Sequence, residues 1–167
     1  MNVLILSGPN HGFDKCATVI DAFLRTAADL CVRLEEDNEI LASAQMDEFD
    51  VCVFGTGFTR TEAQIEGPPK RVPDLAPEQE AGLFGFVERG GGLAAMHGSA
   101  WWIGGKAVDL MGGHANWHPP GLRFTVHIED GEHEVTQGVA EFEVADEIYM
   151  SAWDPRIHIL ATAEWAE

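Results

Sequence analysis

The chain is poor in positive charge. Three lysines and seven arginines stand against 28 acidic residues in 167, a formal net charge of −18. A surface with so few cations repels phosphate backbones and anionic lipid, which argues against nucleic acid and membrane surfaces as partners. Cysteine is scarce as well: Cys16, Cys31 and Cys52 form no CxxC motif and cannot all pair, so the expected compartment is a reducing cytoplasm. No apolar run approaches the roughly 20 residues that a membrane helix needs. The opening Met1-Asn2-Val3-Leu4-Ile5-Leu6 carries no basic region or cleavage site, so it reads as a first strand rather than a signal peptide. Nucleotide motifs are missing too. Gly8 and Gly12 are wrongly spaced for GxGxxG, Gly90-Gly91-Gly92 precedes a strand instead of opening a helix, and no Walker-type lysine is present.

What remains is a globular pattern, with 46% hydrophobic residues and mean hydropathy near zero. A chain of this length buries about 70% of its unfolded surface without disulfide or metal staples. Val3 to Leu6 is a continuous β-prone run ended by Ser7-Gly8-Pro9-Asn10, the mark of a strand buried on both faces. Asp14 caps an expected helix with Cys16, Ile20, Phe23, Leu24 and Ala27 on one stripe. A strand over Cys31 to Leu34, a weaker helix around Glu39 to Met46 and a second apolar strand over Val51 to Phe54 follow. Residues 58 to 76 read as an irregular connection. Pro77 opens a helix with Leu83, Phe84 and Val87 inward, and Leu93 to Met96 is a strand delivering His97 to its end. A short helix near Ala107 to Met111 and strands over Leu122 to Ile128, Phe142 to Ala145 and Ile157 to Ala161 complete the reading. Alternating strand and helix imply parallel βαβ crossovers in one α/β domain, with no repeat or internal boundary.

In such sheets the functional crevice lies beyond the carboxyl ends of the strands. Ala95-Met96-His97-Gly98-Ser99 occupies the place where hydrolases and amidotransferases set a nucleophile on a sharp turn, yet the residue offered is His97. The cysteines all fall inside expected helix or strand, so acyl transfer through a Cys–His pair is absent from this reading. His11, His97, His118 and His133 fall in loops, where an imidazole can meet a ligand. His114 lies four residues before His118, but Gly-Gly and Trp-His-Pro-Pro flank them and argue against a shared metal-binding helix. His127 and His158 read as structural or exposed. Asp146 and Glu147 sit between apolar pairs, so one is expected to turn inward and orient an imidazole or act as a general acid or base. Trp101, Trp102 and Trp117 in candidate loops suit stacking on sugar rings, or equally a hydrophobic lid over the sheet edge.

Gly8 to His11, Phe49-Asp50-Val51-Cys52-Val53, Gly90-Gly91-Gly92-Leu93-Ala94-Ala95-Met96-His97, Gly112-Gly113 with His118-Pro119, His133 before Val135-Thr136-Gln137-Gly138, and Asp146-Glu147-Ile148-Tyr149 occur in this order. Together they resemble the ThuA-like (trehalose utilisation) family. The resemblance implies a three-layer, flavodoxin-like or class I glutamine-amidotransferase-like α/β domain with a mainly parallel sheet. It also implies that His97 takes the place of the amidotransferase cysteine, and that the role is in sugar metabolism. Glu134 departs from the family's proline after His133, and the chain stops where members continue into a further C-terminal segment. The expected organisation is therefore a single domain over 1–167 lacking that segment.

The expected function is a carbohydrate-processing isomerase or hydrolase acting on a sugar or keto-sugar, and not a glutamine amidotransferase. In it His97, His133 and Glu147 are catalytic, and His11, Trp101, His118 and Tyr149 bind the ligand. One alternative is a divalent-metal-dependent hydrolase or isomerase holding a metal such as zinc through His97, His118, His133 and Glu147. The other is a non-catalytic carbohydrate-binding or interaction module. The partner is a small sugar or sugar derivative, with homo-oligomer formation left open.

Overall fold

The structure is a computed structural model and describes residues 1–7, 13–54, 59–62, 70–73, 75–97, 99 and 107–164. The chain divides into two compact units, Met1–Met111 and Gly112–Glu167.

The first unit is built on β1 (Asn2–Leu6), β2 (Cys31–Glu35), β3 (Val51–Phe54) and β6 (Gly92–Ala95), hydrogen-bonded in the order β2-β1-β3-β6. All three pairings are parallel, with Leu6 opposite Phe54 and Phe54 opposite Ala95. Because side chains alternate along a strand, the apolar runs feed two cores. Val3, Ile5, Val32 and Val53 pack on one face against Ala17 of α1 (Phe13–Leu24). Leu4, Leu6, Cys52 and Phe54 pack on the other against Leu83 and Phe86 of α2 (Pro77–Glu88) and against Ile40, Leu41 and Met46. Helix, sheet and helix make three layers, as expected.

Three local expectations fail for identifiable reasons. The stripe of α1 that meets the sheet is Ala17, Ile20 and Leu24, whereas Cys16 and Phe23 face outward. Both stripes share the helical period, and the register that wins sets the small Ala17 against the strands. The expected helix over Glu39 to Met46 is two 3-10 turns, Asn38–Ala42 and Ala44–Glu48, broken at Ser43. The Ser43 hydroxyl donates to Ile40 O and accepts from Gln45 N–H, competing with the backbone for its own bonds. Within the expected irregular stretch lie β4 (Thr59–Glu62) and β5 (Lys70–Pro73), an antiparallel pair with Glu62 opposite Lys70. Charged residues and proline suit a two-stranded pair, in which each strand is an edge.

The glycine run before β6 serves packing. Gly90 has φ +93°, and a Cβ on Gly91 would lie 2.4 Å from the Phe86 ring. α3 (Ala107–Met111) closes the unit.

The second unit is antiparallel throughout. β8 (Leu122–Ile128) lies between β9 (Phe142–Asp146) and β11 (Ala161–Ala163), and β7 (Gly113–Trp117) pairs with β10 (Met150–Trp153). The expected strand over Ile157 to Ala161 begins only at Ala161; Ile157 and Ile159 are 38% and 42% exposed in the connection before it. A continuous apolar run reads as a strand, but here Asp154 accepts from Arg156 N–H and holds a turn just ahead of it. Among the described residues the buried apolar side chains belong to the first unit, apart from Ala115 and Pro119.

Candidate functional site

β6 ends in a tight turn. Met96 N–H donates to Phe54 O at 3.1 Å, and Ser99 N–H donates back to Met96 O at 2.9 Å. Ser99 is fully buried, and its hydroxyl donates to the same Phe54 carbonyl at 2.6 Å. This leaves His97 at the apex with φ +44°, the left-handed region that a residue with a Cβ rarely adopts. The sharp turn expected after this strand is present, and it exposes an imidazole where a thiol would sit in a cysteine amidotransferase. Cys52 cannot substitute for one: it is buried in β3, and burial pushes its thiol up to about 12. At the end of neighbouring β1, the Ser7 hydroxyl is buried with no hydrogen-bond partner among the described residues. A polar residue directly after an apolar strand was its only signal in the sequence.

A second cluster assembles in the other unit. Antiparallel β7 and β10 set Trp117 opposite Met150, so His118, just after β7, meets Tyr149, just before β10. Their ring centroids are 5.4 Å apart and tilted by 48°. β9 ends at Asp146, so the chain delivers Glu147 to the same place, with Oε2 3.7 Å from His118 Nε2. His118 Nδ1 lies 3.0 Å from Pro119 O. A carbonyl only accepts, so Nδ1 carries the hydrogen and Nε2 is the nitrogen left to exchange a proton beside the carboxylate. Burial, then Glu147 and Asp146, pushes the Tyr149 phenol up to about 12, so it stays a protonated donor at neutral pH. Glu147 also borders a cavity of about 430 Å³ with Arg123 and Asp146.

His133 belongs to a different arrangement. Asp130 Oδ1 accepts from Glu132 N–H and His133 N–H, and His133 Nδ1 accepts from Val135 N–H at 3.2 Å. Its ring meets His158 edge-on at 5.3 Å, and His158 Nε2 lies 2.9 Å from Asp130 Oδ2. The backbone bonds from Glu132 and His133, then His158, hold the Asp130 carboxyl below the usual range. Among the described residues no hydrogen bond, ion pair or ring contact joins His133 to His118 or Glu147. The structure thus unites His118, Glu147 and Tyr149, sets His133 with His158 and Asp130, and carries His97 on the first unit. His11 and Trp101 lie outside the described residues. His114 is in β7 opposite Ala152.

Among the described residues there is no group of three or more His, Cys, Asp or Glu side chains that could hold a metal ion. No described helix is long and apolar enough to cross a membrane.

The family model for ThuA, trehalose utilisation, matches residues 2–167. The chain belongs to the ThuA family. The family's description points to a role in sugar metabolism. Among solved structures, the ThuA fold is shared with a ThuA-like protein from Bacteroides uniformis ATCC 8492, at 16% identity and TM-score 0.74, covering 96% of this chain and 66% of that one. A ThuA-like protein from Parabacteroides merdae ATCC 43184 gives 14% identity and TM-score 0.72, covering 97% and 67%. The chain thus spans about two thirds of the length of these ThuA-like proteins. No curated protein matches it.

Proposed function

We propose that this ThuA-family chain acts on a sugar or keto-sugar by histidine–carboxylate acid–base chemistry, without a covalent intermediate on cysteine. The observation that carries the reading is the His118–Glu147–Tyr149 cluster: an imidazole with Nδ1 on Pro119 O, Nε2 facing a carboxylate, and a neutral phenol against its ring. Enolisation needs a base that removes a proton from the carbon beside a carbonyl and a donor for the oxygen that gains charge. In this reading His118 Nε2 takes the proton, Glu147 stabilises the resulting imidazolium, and Tyr149 O–H donates to the enolate oxygen. Tyr149 then gives its proton to the enolate oxygen and regains one from the adjacent hydroxyl, and His118 returns the carbon-bound proton to the neighbouring carbon, which completes an isomerisation. The cavity beside Glu147, with Arg123 and Asp146, offers donors and acceptors for sugar hydroxyls. His97, raised on its turn, is the second acid–base candidate, and its strained backbone fits a residue kept for function. For His133 the family resemblance alone supports a catalytic role.

The test is exchange of solvent deuterium into the α-carbons of a keto-sugar panel, followed by NMR. Exchange is expected with the unaltered chain and should fall by about 10²–10⁴-fold in His118→Ala and Glu147→Gln. His97→Gly is expected to slow exchange while keeping or raising Tm, because glycine accepts φ +44°. No exchange on any keto-sugar, or exchange indifferent to His118 and Glu147, would refute the reading.

A further inference from the structure

Three of the large apolar side chains that stay exposed in the second unit share one place, apart from Trp117, Val135, Val139 and Phe142. Trp153, Ile157 and Ile159 are 59%, 38% and 42% exposed, and all three line one groove of about 690 Å³. The groove runs along β10 and β11, with Ile148 and Met150 adding apolar wall and Tyr149 at its border. Its volume falls within the range of small-molecule sites. Among the described residues of its lining Tyr149 is the only ionisable side chain, in a chain where 23% of residues are charged. That phenol, pushed up to about 12, is neutral.

Charge therefore separates the two sides of the cluster. Glu147 borders the cavity with Arg123 and Asp146, and Tyr149, two residues later, borders the groove. Charged and hydroxyl-rich groups belong with the first, where ionic partners replace lost water. An uncharged ring belongs with the second, where burying apolar surface gains roughly 25 cal/mol per Å² and the Trp153 indole offers a flat face. We propose that the groove binds an uncharged, ring-bearing aglycone, so that the preferred substrate is a keto-sugar glycosidically linked to an apolar substituent rather than a free keto-sugar. This specificity rests on the acid–base reading of His118, Glu147 and Tyr149; occupancy of the groove does not.

Three probes separate the two claims: methyl glucoside, phenyl glucoside and phenol, titrated into the full chain and followed by NMR at the Trp153 indole and the Ile157 and Ile159 methyls. Phenyl glucoside and phenol are expected to shift these signals. Phenyl glucoside should bind at least tenfold more tightly than methyl glucoside, and Trp153→Ala with Ile159→Ser should erase that difference while Tm and methyl glucoside affinity hold. If neither aromatic probe moves the groove signals, or the two glucosides bind equally, the groove assignment is overturned, whatever happens at His118. If phenol moves them while neither glucoside perturbs His118 or Tyr149, the groove stands as an aromatic site and the sugar reading falls.

Discussion

Tyr149 is the one tyrosine in the chain, which makes it an internal reporter of its own surroundings. Burial and the carboxylates of Glu147 and Asp146 push its phenol up to about 12. An absorbance titration at 295 nm is therefore expected to show a midpoint about two pH units above the roughly 10 of an unfolded tyrosine. The sign of the stability effect follows. Between these values the unfolded chain has lost a proton that the folded chain keeps, so the phenol's contribution is intact below pH ~10 and fades as pH rises to ~12. Glu147→Gln should bring the midpoint back toward 10 without changing the spectrum of the neutral form. A midpoint at 10 in the folded chain would mean that Tyr149 is neither buried nor beside the carboxylates.

Among the elements, the contact between α2 and the first 3-10 turn is the least forgiving. A Cβ on Gly82 would lie 1.8 Å from Leu41 O, so the helix approaches this backbone only because residue 82 lacks a side chain. Nearby, buried Gln79 accepts from Ala76 N–H and donates to Asn38 and Glu39 side chains, fastening the start of the helix to the same turn. Gly82→Ala must push the two elements apart. Overpacking of this kind costs about 1–3 kcal/mol, here expected at the upper end, and should lower Tm by roughly 6–10 °C. Gly131→Ala, with nothing within 4 Å of the added methyl, is the control expected to leave Tm unchanged. Equal melting of both variants would mean that α2 does not pack this closely.

For the molecule as a whole, the net charge of −18 is the dominant electrostatic fact. Like charges spread over one small surface repel one another more when compact than when unfolded. Raising ionic strength from 0.1 to 1 M shortens the screening length from about 10 to 3 Å. Thermal melting in sodium chloride is therefore expected to rise by several degrees over that range. A Tm that falls with salt would show that attractive pairs such as Arg25–Asp21 and Arg89–Asp47 outweigh the repulsion.

The parallel sheet was legible in the residues themselves because a strand buried on both faces needs an unbroken apolar run. Val3 to Leu6 and Val51 to Phe54 are such runs, and they lie where β1 and β3 form. The turn at His97 was legible for the same reason, since Leu93 to Met96 stops abruptly at a histidine and glycine. β7 and β10 were not legible: Gly113–Trp117 mixes glycine, histidine and asparagine, and each strand forms only by pairing with the other across the intervening β8 and β9. That pairing brings His118 to Tyr149, and the end of β9 adds Glu147. Residue types thus marked the imidazoles and carboxylates as candidates by chemistry alone. Which of them meet was decided by long-range strand pairing, because an antiparallel register depends on partners far apart in the chain, and that kept His133 with Asp130 and His158 instead.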